Sequence, residues 1–393
     1  MALAGPSSAA MRQLKASNTT GTTHLLKWKY TPTPEPQKRV AGPDELSETG
    51  LTPIRFSAHS GQLFGNEQPF HIKGINWHGS ESRTGPPAGL DKHGVNYYMH
   101  FLAANDFNAV RLLFNHRSIL ASSDPLTAPP LQTDGLALAP ELKGVSYVEM
   151  FVRLAQEAAR HGILILLACH RLSPKAWPGE GLWYDKEIQE ENVLDSWEFI
   201  AAALCGQWNV IGVDLQNEPH SASWGFGRAT DWDKAAARIG NHVLSKCPRW
   251  LVFVEGVGFR PGAPGADSDR QGFWWGGNLV GAREAPVLLS DQTKLVYSPH
   301  TYGPSVYVQS YFFAEGFPIN MGQIWEEHWG FVREATGQPV VIGEMGGLYD
   351  GLDKTWQDWA LGQVWAGRYS CSLCIRVERM WSGVRSASKW SGV

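Results

Sequence analysis

Seven short, mostly apolar runs recur along this chain: Lys73 to Trp77, Ala109 to Phe114, Ile163 to Cys169, Val210 to Gln216, Leu251 to Glu255, Leu295 to Ser298 and Val340 to Gly343. Irregular loops and helical segments separate them. Apolar runs of this length, stopped by Gly, Pro or polar residues, read as strands, and strands alternating with helices build parallel βα units. Tyr147 to His161 is one such helix, with Val148, Phe151, Val152, Leu154 and Ala155 as its apolar positions and His161-Gly162 at its C-terminus. Val193 to Cys205 is another. An open doubly wound sheet would need a Gly-rich phosphate loop after its first strand, and none follows here. The expected fold is therefore α/β, a (β/α)8 TIM barrel, with the eighth strand in doubt.

The 393 residues divide by pattern into three parts. Residues 1–50 are rich in Ser, Thr, Pro, Gly and Lys and carry no apolar period, so a disordered arm is expected there. Residues 51–361 form the expected catalytic domain, opening with a β-hairpin around the turn-rich stretch Gly61 to Gln68 that can plug a barrel floor. Residues 362–393 are an atypical basic, Ser/Trp-rich tail, in which Ser372 to Val377 is the candidate edge-closing strand.

Composition removes several function classes. A net charge of −4 and no Lys/Arg cluster leave nothing to neutralise nucleic-acid phosphates, and no run of 18 apolar residues spans a membrane. Five Cys are too few for a disulfide scaffold, and Cys371-Ser-Leu-Cys374 lacks the further ligands that a zinc site needs. No metal and no organic cofactor are expected. The 18 Trp stand out, because several lie in Gly-rich loops, where indole faces can stack on the C–H faces of sugar rings. Core filling is the commoner fate for any single one of them.

Nearly every strand ends in a polar or aromatic residue. Reading off the ends gives Trp77-His78, Arg111 with Asn115-His116, His170-Arg171, Asn217-Glu218, Glu255, His300 with Tyr302, and Glu344. In a parallel barrel these ends share one face, which is where active-site residues gather. Glu218 and Glu344 can thus meet in space. Glycoside hydrolysis needs such a pair, one carboxyl protonated and one ionised, so their surroundings must differ. Arg111 and Tyr302 are available to hold one ionised, with His170 and His300 able to orient the acid.

From about Ile72 to Ala360 the chain resembles glycoside hydrolase family 5, the cellulases. The resemblance is carried by Gly74-Ile-Asn-Trp-His-Gly79, Asn108-Ala-Val-Arg111, Cys169-His-Arg171, Asp214-Leu-Gln-Asn-Glu-Pro-His220, Phe253-Val-Glu-Gly256, Phe273-Trp-Trp-Gly-Gly-Asn278, Tyr297-Ser-Pro-His-Thr-Tyr302 and Gly343-Glu344, in that order. It implies a retaining barrel enzyme with Glu218 as acid/base and Glu344 as nucleophile. Asn217 would bond the sugar 2-hydroxyl, Arg111 and Tyr302 would hold the nucleophile, and His170 and His300 would complete the polar shell. Glu255 takes a supporting role by position, and Trp274, Trp275 and Trp77 are the stacking candidates. Retention implies carboxyl groups about 5–5.5 Å apart.

The resemblance also implies a polysaccharide or oligosaccharide substrate of the β-glucan type, hydrolysed at β-1,4 bonds; the chain is expected to be a monomer. Two alternatives are another β-glycanase, such as a β-mannanase or exo-β-1,3-glucanase, and an impaired, glycan-binding barrel. The tail motivates the last, because the family's final strand ends in a cleft-lining Trp and an Asn/Asp/Gly loop that residues 362–393 do not reproduce. Localisation stays open: family members are secreted, yet no secretory h-region is visible in the first thirty residues.

Overall fold

A computed structural model describes residues 54–83, 85–124, 128–175, 179, 181–258, 272–365 and 370–371. The expected N-terminal arm and nearly all of the tail, Ser372 to Val377 included, lie outside the described residues.

The chain opens with three antiparallel strands, β1 (Phe56–His59), β2 (Gln62–Gly65) and β3 (Gln68–Phe70), in that spatial order. The expected two-stranded hairpin is thus a meander. Its middle strand lies inside the turn-rich stretch, because Ser60-Gly61 and Asn66-Glu67 each take the two successive positive φ angles of a tight two-residue hairpin turn. Phe56, Ala58, Leu63 and Phe70 point from the meander onto Ala109, Leu164, Leu166, Ile211, Phe253, Val296 and Val341 of the strands above it. The meander floors the barrel.

Six parallel staves follow in chain order: β4 (Gly74–Trp77), β5 (Ala109–Asn115), β6 (Leu164–Arg171), β7 (Val210–Asp214), β8 (Leu251–Val254) and β9 (Leu295–Tyr297). After Tyr297 the sixth stave resumes as β10 (His300–Tyr302), and the seventh is split likewise into β11 (Val341–Ile342) and β12 (Glu344–Gly346). A parallel bridge from Tyr297 to Val340 joins the sixth stave to the seventh, and β10 pairs with β12 in the register His300 to Glu344. The eighth stave is begun by β13 (Ser370–Cys371), parallel to Val341 and Ile342 and two residues before the stretch expected from sequence. Asn76 Nδ2 reaches Gly343 O at 3.2 Å, so the first stave and the seventh come within hydrogen-bond reach.

Along each stave alternate side chains face opposite ways. Ala109 joins the interior layer above the floor, whereas Val110, Leu112 and Phe114 pack outward with Ile165, Leu167, Val213 and Val252 against the helices. The helix at Tyr147–Arg160 is capped by the Ser146 hydroxyl, and Gly162 beyond it has φ 69°. The next helix, Glu190–Leu204, starts earlier than its apolar period suggests. A reciprocal capping box between Gln189 and Asn192 organises three additional residues ahead of Val193. Among the described residues no helix is long and apolar enough to cross a membrane.

Cys205 and Cys247, each the C-cap of a barrel helix, form a disulfide with Cα atoms 5.7 Å apart. Sequence counting did not reveal this pair, which becomes adjacent only when neighbouring helices dock. Closing a loop across 42 residues restricts the unfolded chain. Cys205→Ala/Cys247→Ala is therefore expected to lose about 2–4 kcal/mol of stability, read as a lower denaturant midpoint. A midpoint equal to that of the wild type would show that the bridge contributes nothing.

Candidate active site

At the carboxyl ends of the staves the apolar interior gives way to a buried ionic cluster centred on Arg111. Arg111 is fully buried on β5, two positions past the interior Ala109, so the pleat aims it inward. Its Nε donates to Asp214 Oδ2 (2.9 Å), Nη1 to Asn76 Oδ1 (3.0 Å) and Glu344 Oε1 (2.6 Å), and Nη2 to Asn217 Oδ1 (2.9 Å) and Glu255 Oε1 (3.0 Å). All five guanidinium N–H groups are thereby used. A buried cation facing three carboxylates is tolerable because each charge is paired and hydrogen-bonded.

Glu344 opens β12, and the pairing of β12 with β10 sets Tyr302 and His300 beside it. The Tyr302 hydroxyl donates to Glu344 Oε2, while His170 Nε2 lies 3.8 Å from Oε1. Burial alone would raise the Glu344 pKa, but the positive charges of His300 and Arg111, with the Tyr302 hydrogen bond, bring it down to about 2. His170 itself is lowered to about 4, chiefly by burial, and is neutral at pH 7. Its contact with Glu344 is then dipolar and not an ion pair.

Glu218 has the opposite surroundings. Burial pushes its pKa up, and the nearby Glu344 carboxylate adds to this, outweighing the His300 hydrogen bond that opposes it. Its backbone sits at φ 46°, a left-handed conformation that costs a non-glycine residue about 1–2 kcal/mol and recurs at functional sites. That turn is held on both sides: Glu218 N donates to Glu255 Oε2 (2.7 Å) and His220 N to Glu218 O (2.6 Å). An oxygen of Glu218 and one of Glu344 lie within 4.8 Å of each other, with a ring nitrogen of His300 in the same cluster.

His300 is fully buried and bridges two acids, Nδ1 to Glu218 Oε1 at 3.0 Å and Nε2 to Glu255 Oε1 at 3.1 Å. Burial disfavours its charge, but Glu255 and Glu344 more than compensate, so its pKa stands well above the ordinary value. As an imidazolium it donates through Nδ1 to Glu218, and its Nε2 lies in ion-pair contact with Glu255. It therefore works from beneath the carboxylates. Asp214 and Glu255, also fully buried, complete this lower layer. Their positions in the strand-end runs were visible in sequence, but their joint grip on Arg111 was not.

The aromatic candidates separate. Trp274 is 9% exposed and meets Tyr302 edge-on at 5.4 Å, whereas Trp275 is 40% exposed and stacks on the His220 ring at 3.8 Å. Trp77 does not line the cleft, contrary to expectation. It is 2% exposed, packs edge-on against Tyr98 and donates Nε1 to Ala88 O. The pleat explains this, since Asn76 faces Arg111 and its neighbour Trp77 must face the helices.

Comparison with known proteins agrees with this geometry. Residues 65–372 match the family model described as cellulase (glycosyl hydrolase family 5). An endoglucanase of Paenibacillus polymyxa is 35% identical over 72% of this chain and 68% of its own length. The major extracellular endoglucanase of Xanthomonas campestris pv. campestris is 35% identical over 73% of this chain, which spans 57% of that protein. A cellotetraose complex of an endocellulase from Pyrococcus horikoshii superposes with a TM-score of 0.74 at 34% identity, covering 83% of this chain and 91% of that one. On this evidence the chain belongs to glycosyl hydrolase family 5, the cellulases, and is a glycoside hydrolase.

Proposed function

We propose that the chain is a retaining endo-β-1,4-glucanase in which Glu344 is the nucleophile and Glu218 the acid/base. The observation that carries this reading is the closeness of the two carboxylates, whose oxygens come within 4.8 Å. Inversion needs room for a water between them, with separations of about 6.5–9.5 Å. Glu344, held ionised, attacks the anomeric carbon as Glu218 gives its proton to the leaving glycosidic oxygen. Glu218, now a carboxylate, takes a proton from the water that cleaves the glycosyl ester and frees Glu344. Arg111 and Tyr302 orient the nucleophile throughout. Asn217 accepts from Arg111 through Oδ1, which leaves Nδ2 to donate to the sugar 2-hydroxyl.

A β-1,4-glucan is favoured by the relatives, named as endoglucanases, and by the cellotetraose bound to the Pyrococcus enzyme. Trp275 and Trp274 are the proposed stacking surfaces. The Cys205–Cys247 disulfide suits an oxidising compartment, so action outside the cell is part of this reading. Purified protein assayed on carboxymethyl cellulose, mannan and laminarin, with NMR of the first-formed anomer, is expected to release β-anomeric ends from the cellulose derivative. Activity on mannan alone would reject the glucanase assignment. First-formed α-anomers would reject retention.

A further inference from the structure

The geometry points to Asp353 as the positioning residue that sets the hydrogen bond between Tyr302 and Glu344, an inference that rests on the nucleophile assignment above. Asp353 lies in the first turn of the helix Gly351–Trp365 and is 2% exposed. Its carboxylate joins the loops that follow the two strands carrying Tyr302 and Glu344. Oδ2 accepts from Ser305 N at 3.1 Å and from the Ser305 hydroxyl, and Oδ1 accepts from Tyr349 N at 3.4 Å and from the Gln357 amide. The Ser305 hydroxyl in turn accepts from Leu348 N at 2.9 Å, and Gly303 N donates to Gly346 O at 3.0 Å.

Both loops lie with bare backbone against this carboxylate. A Cβ on Gly303, the residue after Tyr302, would sit 2.7 Å from Asp353 Oδ2, and one on Gly347 would sit 2.2 Å from it. With both backbones packed this closely on the carboxylate, its bonds to Ser305 and Tyr349, and that of the Ser305 hydroxyl to Leu348 N, tie β10 to β12 and resist a slide of one past the other. Such a slide would separate the Tyr302 hydroxyl from Glu344, because the pairing of His300 to Tyr302 against Glu344 to Gly346 is what sets the two side by side. The carboxylate is thus a clamp on the register that brings the phenol to the nucleophile.

Asp353→Asn replaces one acceptor oxygen by a donor and opposes N–H to N–H at Ser305 or at Tyr349 and Gln357. With active sites titrated, kcat on a cello-oligosaccharide should fall about tenfold, KM should stay within about twofold, and the acid limb of the pH profile should move upward. The loss should be shared with Tyr302→Phe: the double variant should be no slower than the slower single one. Should Asp353→Asn fail to fold, Ser305→Ala, which removes the hydroxyl bridging the loops, should show the same shared loss at smaller size. A lowered melting temperature with unchanged kcat, or losses that multiply with Tyr302→Phe, would overturn the clamp. If Tyr302→Phe alone leaves kcat and the acid limb unmoved, the nucleophile assignment fails first and takes the inference with it.

Discussion

Glu344→Gln should abolish hydrolysis in a protein that remains folded, with kcat on a cello-oligosaccharide falling by on the order of 10⁴-fold or more. The amide keeps the carboxyl's shape and can still accept from Arg111 Nη1, but it cannot form the glycosyl ester. Glu218→Gln should behave differently. A substrate with an acidic phenol as leaving group needs no proton, so its first step should be largely spared in that variant and lost in Glu344→Gln.

The pH dependence follows from the opposite surroundings of the two acids. Glu344, the proposed nucleophile, must be ionised, so activity should fall as pH drops through its value, which His300 and Arg111 hold at about 2. The acid must be protonated, so activity falls as pH rises through the elevated value of Glu218. Glu218→Gln should remove that alkaline limb. Equal losses in both variants on both kinds of substrate would refute the division of labour.

Arg111→Met carries the largest expected stability cost. The substitution keeps much of the volume but leaves Asp214, Glu255 and Glu344 buried without the cation they share. Breaking a buried ion pair from one side costs about 3–5 kcal/mol, because the remaining charge is uncompensated. Denaturant unfolding should show that loss, and a change below about 1 kcal/mol would refute the central role of the guanidinium.

The response to pH should also change, because Arg111 pulls down the pKa values of both Asp214 and Glu344. In the wild type, the depressed pKa of Glu344 contributes stability that is present above the ordinary value of 4.5 and lost as pH falls toward 2. In the variant the stranded carboxylates take up protons more readily than in the unfolded chain. Its stability should then rise on acidification from about pH 7 to about pH 5.

Much of the site was legible because its signals are local. An apolar run stopped by Asn-Glu-Pro or Gly-Glu-Met announces a strand with an acid at its end, whatever the rest of the chain does. The pairing of Cys205 with Cys247 and the meander's middle strand were not legible, since one depends on helix docking and the other on two adjacent tight turns. Asp353 gave no signal at all: in sequence it is an ordinary acid in the first turn of a helix.

Trp77 marks the boundary most clearly. A stave buried on both faces has no alternation of apolar and polar residues, so sequence does not say which of Asn76 and Trp77 looks into the barrel. By itself the sequence determined the alternation of strands and helices and the acids that end two of the staves, because hydrophobic period and chain-stopping residues act over a few neighbours. Only the tertiary structure decided that Arg111 would meet Glu344, 233 residues away, that Asp214 and Glu255 would lie beneath them, and that Ser370 and Cys371 would begin the eighth stave. Those contacts depend on register and barrel closure, which are properties of the whole ring of strands.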